Sequence, residues 1–161
     1  INAVLVQQAQ RHGVVVRQLL GPQVADGRPE RLEVTLRRYR CRGCGAVVMV
    51  GPRGLVWRRA YGGPAIALAL AHYAAGWTTA AIRQATSPAR LVGVAAADRW
   101  VTVERWARAA RQVGLFGVGP VAVATDRLAA ERLVLALAGR AGWQLGDDLA
   151  ARAFEGAAIA A

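Results

Sequence analysis

The chain has 161 residues, of which 55% are hydrophobic and 19% charged, so it can bury a core and is not an intrinsically disordered tail. Its 21 basic residues are all arginine and stand against 10 acids, for a formal net charge of +11. A polyanionic partner is the first inference. The longest apolar run, residues 64–75, is too short for a membrane span and contains His72, which argues against a transmembrane helix.

The sequence also carries signals about its compartment. No charged segment followed by an apolar stretch and a small-residue cleavage site opens it, so nothing indicates secretion. Its two cysteines are too few for a disulfide scaffold. We therefore expect a cytoplasmic protein without contact to a membrane.

The positive charge is concentrated in the first two thirds of the chain. Residues 1–60 have a net charge of +8 and residues 61–112 a net charge of +4, whereas residues 113–161 have a net charge of −1. A charge that served only solubility would be spread more evenly and mixed in sign. The asymmetry favours a binding surface over a merely solvated one.

The first predicted domain, residues 1–56, is a small antiparallel sheet. Leucine and valine alternate with polar residues over residues 32–36, which is the period of a strand with one buried face. Residues 14–16 and 46–50 are shorter β-branched runs, and glycine, proline and aspartate at residues 21–27 supply a turn between the first two strands.

Cys41 and Cys44 directly follow the alternating strand, in the order Arg-Cys-Arg-Gly-Cys-Gly. Two thiolates three residues apart can bind one tetrahedral ion, but a structural zinc site needs four ligands. The sequence carries half of a zinc-ribbon site, because residues 6–9, where the first knuckle is expected, contain no cysteine; His12 is the only nearby substitute.

Three interpretations of this cysteine pair stay open. Zinc is bound with His12 and a fourth ligand, or is shared across a dimer. Alternatively, the knuckle is vestigial and folds without metal. In the third interpretation the pair is redox-active or merely structural, since an isolated Cys-x-x-Cys without a thioredoxin-like pattern is a weak motif.

The second predicted domain, residues 60–112, is a helix-turn-helix. Residues 65–75 have helical propensity and end at Gly76, and Thr78 is positioned to cap a second helix that ends at Ser87-Pro88. About a dozen residues then precede the third helix, where a compact helix-turn-helix allows three or four. An insertion over residues 89–97 is therefore expected.

The third predicted helix, residues 98–112, is the candidate recognition helix. Its core face consists of Trp100, Val103, Ala107 and Ala110, with Trp106 at the margin. Thr102, Arg105 and Arg108 lie on the opposite side, where they can reach phosphates or base edges in a major groove. The plainer alternative is a solvated face on which Glu104 pairs with Arg108.

The remaining segment, residues 113–161, is predicted to be helical. Asp126 is expected to cap a helix that carries too many leucines for a single apolar stripe, and Asp147 and Asp148 precede a second helix at its positive end. Two interpretations are equally supported. The helices form a packing or dimerisation surface, or they complete the core of the monomer.

The order of these elements resembles a bacterial family. The residues that carry the resemblance are Arg-Arg-Tyr-Arg-Cys-Arg-Gly-Cys-Gly after the strand, the Arg58-Arg59 linker, the helix led by Tyr61, and Thr-Val-Glu-Arg-Trp from Thr102. Over residues 12–112 the chain looks like zinc-ribbon plus helix-turn-helix proteins associated with transposases and insertion sequences, whose ribbon precedes a homeodomain-like DNA reader. The resemblance implies DNA binding, with metal ligands only at Cys41 and Cys44.

The expected fold is α+β, with a zinc-ribbon-like antiparallel sheet, a helix-turn-helix region and C-terminal helices. The expected function is DNA binding of transposase-associated or regulatory type, with double-stranded DNA as partner and a separate transposase or a second copy as a further one. Phosphate contacts are assigned to Arg37, Arg38, Arg40, Arg42, Arg58 and Arg59, and groove contacts to Thr102, Arg105 and Arg108.

Two further expectations concern chemistry and the main alternative. No carboxylate cluster for two-metal chemistry, no phosphate loop and no nucleophile arrangement is recognisable, so a catalytic function is not expected. The alternative is a protein-interaction module, held together by the C-terminal helices, in which the basic charge is incidental.

Overall fold

The computed structural model describes residues 9–56, 58–89, 93–94 and 98–160. Over these residues the chain forms a three-stranded antiparallel sheet followed by five helices, which confirms the α+β class. The expected first knuckle and the expected insertion lie largely outside the described residues. The elements are β1 (Ala9–Gly21), β2 (Glu30–Cys41), β3 (Val47–Val50), α1 (Gly63–Ala74), α2 (Thr79–Thr86), α3 (Val101–Gln112), α4 (Asp126–Arg140) and α5 (Leu149–Ala160).

The first two strands pair along their whole length and form a hairpin about 40 Å long, which we call the ribbon. Its base is the Gly21–Glu30 pair and its tip is the Ala9–Cys41 pair. β3 pairs with the last part of β2, so the sheet is three-stranded only toward the tip. A bulge interrupts β1 between Arg11 and Val14, where Gly13 has a φ of 101°.

The alternation predicted over residues 32–36 is confirmed. Leu36 is buried, Val34 is half-buried on the same face, and Thr35 on the opposite face is exposed. The chain after β3 returns over this buried face, since a Cβ at Gly51 would collide with the side chains of Leu36 and Leu55. One face of the ribbon is therefore covered around Leu36, near the middle of β2.

The base of the ribbon is attached to the helices by backbone contacts. The Leu20 N–H donates to the Ala60 carbonyl at 2.9 Å, and the Gly62 N–H donates to the Leu20 carbonyl at 3.1 Å. Gly21, with a φ of 120°, approaches Ala65 of α1 so closely that a Cβ there would overlap it. In the described structure, these backbone contacts between β1 and the segment that leads into α1 all lie at the base of the ribbon.

The end of the first helix and both ends of the second lie where the local signals predict, whereas the first helix begins at Gly63, two residues before the predicted start. Gly76 has a φ of 91° after α1, and the Thr78 hydroxyl accepts from the Ala81 N–H at 3.2 Å at the start of α2. Ile66 and Leu70 of α1 and Ile82 of α2 are fully buried, so the two helices share a core.

The core face predicted for α3 is confirmed, because Trp100, Val103, Ala107 and Ala110 are all buried. Trp106, predicted at the margin, is buried as well. It packs edge-on against Trp100 and against Tyr61 from the segment before α1, with ring centroids 5.3 and 5.2 Å apart. A neighbouring segment of the chain therefore widens the buried face of α3.

The two C-terminal helices complete the helical core. Leu133 and Leu137 of α4 and Ala153 and Ala157 of α5 are fully buried in the same cluster as the residues of α1, α2 and α3. The N-cap of α4 is Thr125, whose hydroxyl accepts from the Leu128 N–H. The prediction of Asp126 as the cap was therefore wrong.

The Asp148 carboxylate accepts hydrogen bonds from the Ala150 and Ala151 N–H groups and so caps the last helix. This agrees with the predicted placement of Asp148 at the positive end of that helix. Among the residues that the structure describes, no helix has both the length and the apolarity needed to cross a bilayer.

His72, in the last turn of α1, predicts a pH dependence of stability. Its half-buried ring stacks on Trp77 with centroids 4.0 Å apart. Burial lowers the pKa of His72 below its ordinary value, and Asp148 offsets part of this effect. The folded state therefore favours the neutral ring, and its stabilisation is present above about pH 6.5 and is lost as the pH falls through the folded pKa.

We expect the melting temperature of the wild-type protein to fall more between about pH 7.5 and pH 5 than that of His72→Gln, measured by thermal unfolding in matched buffers. The carboxylates titrate in both proteins, so the difference between the two curves isolates His72. Curves that run parallel would contradict the prediction.

Candidate nucleic-acid interface

The arginines of β2 do not share one face of the ribbon. β2 pairs with β3 in a regular register, and the bulge opposite it lies on β1, so successive side chains of β2 alternate. Arg38 and Arg40 lie on the face of Leu36, whereas Arg37 lies on the opposite face with Tyr39. Of the six predicted phosphate contacts, the three in β2 are thus divided between two faces.

The face that carries Arg37 is largely uncovered and partly apolar. Val14 and Val16 of β1 and Val48 and Val50 of β3 are all at least half exposed on it, with Val14 reaching 63%. Arg11 pairs with Tyr39 and so lies on this face as well. This face, which we call the valine face, therefore combines exposed valines with the guanidinium groups of Arg11 and Arg37 and is amphipathic.

The ribbon arginines have no acidic partner within the described part of the chain. All ion pairs found there lie between residues 99 and 155, and the ribbon acids Glu30 and Glu33 are in none of them. The ion pairs are Arg99–Glu104, Arg108–Asp126, Arg111–Asp126, Arg152–Asp147 and Arg152–Glu155. The charge of the helical part is thus partly neutralised, whereas that of the ribbon is not.

Sequence reasoning missed three further ribbon arginines. Arg11 is exposed near the tip, Arg31 is exposed near the base, and Arg17 lies between them on the Leu36 face. Strand pairing places Arg11 opposite Tyr39, between the positions of Arg38 and Arg40, and places Arg17 opposite Val34, nearer the base. Their charge was the available signal, but the register of β1 on β2 was needed to place them.

Cys41 and Cys44 lie in the turn between β2 and β3, at the tip of the ribbon. The Cys41 N–H donates to the Ala46 carbonyl at 2.8 Å, and the Gly45 N–H donates to the Cys41 carbonyl at 3.0 Å, which closes the knuckle. The backbone N–H groups of Cys44 and Gly43 and the Cys44 thiol lower the pKa of the Cys41 thiol. The turn therefore favours a thiolate at Cys41, the form that binds metal.

The described residues do not supply the rest of a closed zinc site. They contain no group of three or more histidine, cysteine or acidic side chains close enough to hold one ion. His12 is exposed on β1 near the bulge and does not complete the pair. Within the described part of the chain, Cys41 and Cys44 thus form half of a site, and the three interpretations of the pair all stay predictions.

The linker arginines lie at the other end of the ribbon. Arg58 is exposed and has a φ of 59°, and the carbonyl of Arg59 accepts from the Arg17 guanidinium at 2.7 Å. Arg17 pairs with Val34, which is six residues, or about 20 Å, from Arg40 along β2. The predicted phosphate contacts are therefore spread along the ribbon, from Arg42 at the tip to the linker at the base.

The predicted groove-contacting residues of α3 differ in their surroundings. Arg105 is exposed, and the described structure gives it no ion pair. Arg108 lies 3.6 Å from Asp126 of α4, and Thr102 is half-buried. Of the three, Arg105 is the residue most available to a ligand.

The alternative pairing of Glu104 with Arg108 was wrong. Glu104 instead accepts two hydrogen bonds from Arg99, at 3.1 and 2.8 Å, from the segment just before α3. Asp126 forms the ion pair with Arg108 and a second ion pair with Arg111. The Nε of Arg111 lies 2.8 Å from the Asp126 carboxylate, but the geometry does not make a hydrogen bond.

The start of α3 lies beside the start of α2. The Trp100 N–H donates to the Thr79 hydroxyl at 3.0 Å, and Thr79 is the first residue of α2. In a compact helix-turn-helix a turn of three or four residues would instead follow α2 directly and lead into the recognition helix. α3 therefore starts beside the first residue of α2 and not beside its last, which departs from the compact form of the motif.

Comparison of the chain with models of known protein families, with curated proteins and with solved structures finds no match. The features that bear on function are the ribbon with its unpaired arginines and the exposed side of α3.

Proposed function

We propose that this chain is a non-catalytic, DNA-binding protein in which the arginine-rich ribbon supplies the main phosphate contacts. The observation that carries the proposal is the set of ribbon arginines without acidic partners in the described structure, beside a helical part whose arginines are partly paired. Guanidinium groups bind phosphate bidentately, and neutralised phosphates release counterions.

The shape of the ribbon supports duplex DNA as the ligand. A major groove about 12 Å wide admits a two-stranded ribbon, and the hairpin is two-stranded from its base as far as Leu36, before β3 begins to pair at Arg37. A ribbon in that position presents one face to the base edges while its edges approach the phosphates on both sides. Arg37, Arg38 and Arg40 lie on β2, the middle strand where β3 also pairs, and in this proposal their long side chains extend from the two faces of the sheet toward the backbone.

Arg105 is the proposed groove contact of α3, and Arg108 has a lesser role because Asp126 already holds it. A transposase-associated or regulatory role follows from the resemblance stated above and is part of the same proposal. In that role the partner is a separate transposase or a second copy of the chain. Zinc at Cys41 and Cys44 would stabilise the tip of the ribbon and fix the turn that carries Arg42, next to Arg40 at the end of β2.

The salt dependence of binding tests this proposal. We expect the association constant for random-sequence duplex DNA, measured by fluorescence anisotropy between about 50 and 400 mM salt, to fall with a slope of about −0.9 per phosphate contact on a double logarithmic plot. Five or more contacts give a slope steeper than about −4. A slope near zero would rule out phosphate neutralisation as the source of affinity.

The second candidate function is a protein-interaction module, which the exposed valines of the ribbon favour. Self-association through that surface is apolar and therefore persists at high salt, where DNA binding is lost. Sedimentation at about 1 M salt separates the two: a dimer under those conditions together with a flat DNA response supports the second candidate.

A further inference from the structure

A cavity of about 400 Å³ lies between the loop that joins β1 to β2 and the C-terminal end of α2. Arg28 and Pro29 line it from the loop, and Arg83, Gln84 and Ser87 line it from the helix side. It is located at the base of the ribbon, at the opposite end from the cysteine knuckle. Its volume is within the range of small-molecule sites and exceeds what a single bound water needs.

The positive charge and the N–H donors of the Arg83 guanidinium are only partly satisfied by hydrogen bonds. Its Nη1 donates to the Ala89 carbonyl at 3.2 Å, but its Nε is shielded from solvent and has no hydrogen-bond partner. The described structure gives Arg83 no ion pair. A partly desolvated cation with an unsatisfied donor is unfavourable, and an anion in the adjoining cavity would relieve it.

Arg28, from the loop between β1 and β2, adds a second positive charge to the lining of the cavity. It is exposed and likewise forms no ion pair in the described part of the chain. Arg28 and Arg83 both line the cavity, and an anion bound between two guanidinium groups offsets the repulsion between like charges. Gln84, on the helix side together with Arg83, offers further N–H donors.

The wall that holds Ser87 is fixed by hydrogen bonds. Its hydroxyl is 2.7 Å from the Tyr61 hydroxyl and also accepts from the Ala89 N–H at 3.3 Å. Tyr61 is itself packed against Trp100 and Trp106 of the helical core. The cavity is therefore built on the rigid part of the molecule, which reduces the ordering that a ligand must induce.

We propose that this cavity is a phosphate-binding site, in which Arg28 and Arg83 hold the phosphate oxygens and Gln84 contributes an amide donor. Guanidinium groups match the tetrahedral oxygens of a phosphate bidentately. The volume leaves room for the group to which the phosphate is esterified. The proposal is independent of the DNA-binding function, since the phosphate belongs either to a small monoester or to a nucleic-acid backbone.

The test is a titration of the whole chain with inorganic phosphate and with glycerol phosphate, followed by amide chemical shifts at constant ionic strength, with chloride as the reference anion. We expect saturable shifts at residues 28, 83 and 84. Arg28→Ala should weaken phosphate binding about tenfold or more, because a hydrogen bond to a charged group is lost. Arg28 is exposed in a loop, so this variant is expected to fold.

Arg53→Ala is the matched control, because it removes one equally exposed loop arginine outside the cavity. It should change phosphate affinity by less than about twofold. Shifts that do not saturate, or equal losses in the two variants, would overturn the proposal and leave Arg83 as a residue that only complements the C-terminal end of α2.

A DNA arm of the experiment identifies the source of the phosphate. If the phosphate comes from a nucleic-acid backbone, Arg28→Ala weakens duplex binding more than Arg53→Ala and phosphate competes with DNA. If it comes from a small monoester, the two variants bind DNA alike while only Arg28→Ala loses glycerol phosphate. Absence of any DNA binding would refute the proposed function without affecting the phosphate titration.

Discussion

Replacing Arg38 and Arg40 together by alanine is expected to weaken binding to random-sequence duplex DNA by roughly 50-fold at about 0.1 M salt. Both side chains lie toward the ribbon tip and have no acidic partner in the described structure, so their full charge is available to phosphates. Each lost phosphate contact lowers the salt slope by about one unit and the affinity at this salt concentration by nearly tenfold. Fluorescence anisotropy measures both quantities.

Arg132→Ala provides the control for this double variant. Arg132 is an exposed arginine of α4, in the part of the chain with a net negative charge, and its loss removes charge without touching the ribbon. We expect it to change affinity by less than about twofold. Equal effects of Arg132→Ala and of the ribbon variant, per charge removed, would show that net charge alone drives binding.

Arg37 and Arg105 extend the same experiment to the question of geometry. Arg37→Ala removes a charge from the valine face, and Arg38→Ala removes one from the opposite face. Comparable losses of DNA affinity in the two variants would support insertion of the ribbon with both faces near the DNA backbone. Arg105→Ala is expected to reduce sequence preference, whereas Arg38→Ala weakens all sequences alike, because phosphate contacts carry no sequence information. A uniform loss from Arg105→Ala would remove α3 from the reading of bases.

Gly156→Ala is expected to destabilise the fold by about 3 kcal/mol or more, and to lower the melting temperature by roughly 6 to 12 °C. Gly156 of α5 is buried against α4, and a Cβ there would overlap the carbonyl oxygen of Leu137. That oxygen belongs to the backbone of α4, so the two helices must separate to admit one methyl group. Calorimetry or thermal unfolding followed by circular dichroism measures the change.

Gly139→Ala is the matched variant on the other helix of this crossing. Gly139 is exposed in the last turns of α4 and has no atom within 4 Å of the position a Cβ would take. The same substitution should stabilise the protein by about 0.5 to 1 kcal/mol, since alanine favours a helix over glycine. Two glycine-to-alanine changes of opposite sign would establish that close packing, and not helix propensity, requires Gly156.

Local signals in the sequence predicted much of the fold. The alternation over residues 32–36 predicted β2, and Gly76 and Thr78 predicted the end of α1 and the start of α2, because strand periodicity and helix caps depend on neighbouring residues. The period of two also separates Arg37 from Arg38 and Arg40. Grouping these arginines by adjacency in the sequence overlooked that consequence.

Contacts between distant elements could not be predicted in this way. The helical spacing predicts that Glu104 pairs with Arg108. In the structure Glu104 pairs with Arg99, which precedes α3, and Arg108 pairs with Asp126 of α4. Trp106 looked marginal because a helical wheel contains only its own helix, whereas Tyr61 covers it from another segment. Charge partners and burial at the edge of a face depend on the tertiary arrangement.

The perpendicular packing of Tyr61, Trp100 and Trp106 has an optical consequence. Aromatic rings held rigidly in an asymmetric environment give near-ultraviolet circular dichroism bands that disappear when side-chain packing is lost. These three rings report on the helical part of the molecule, whereas Tyr39 is the aromatic residue of the described ribbon strands. Melting of the helical core and fraying of the ribbon should therefore produce different spectra from one unlabelled sample.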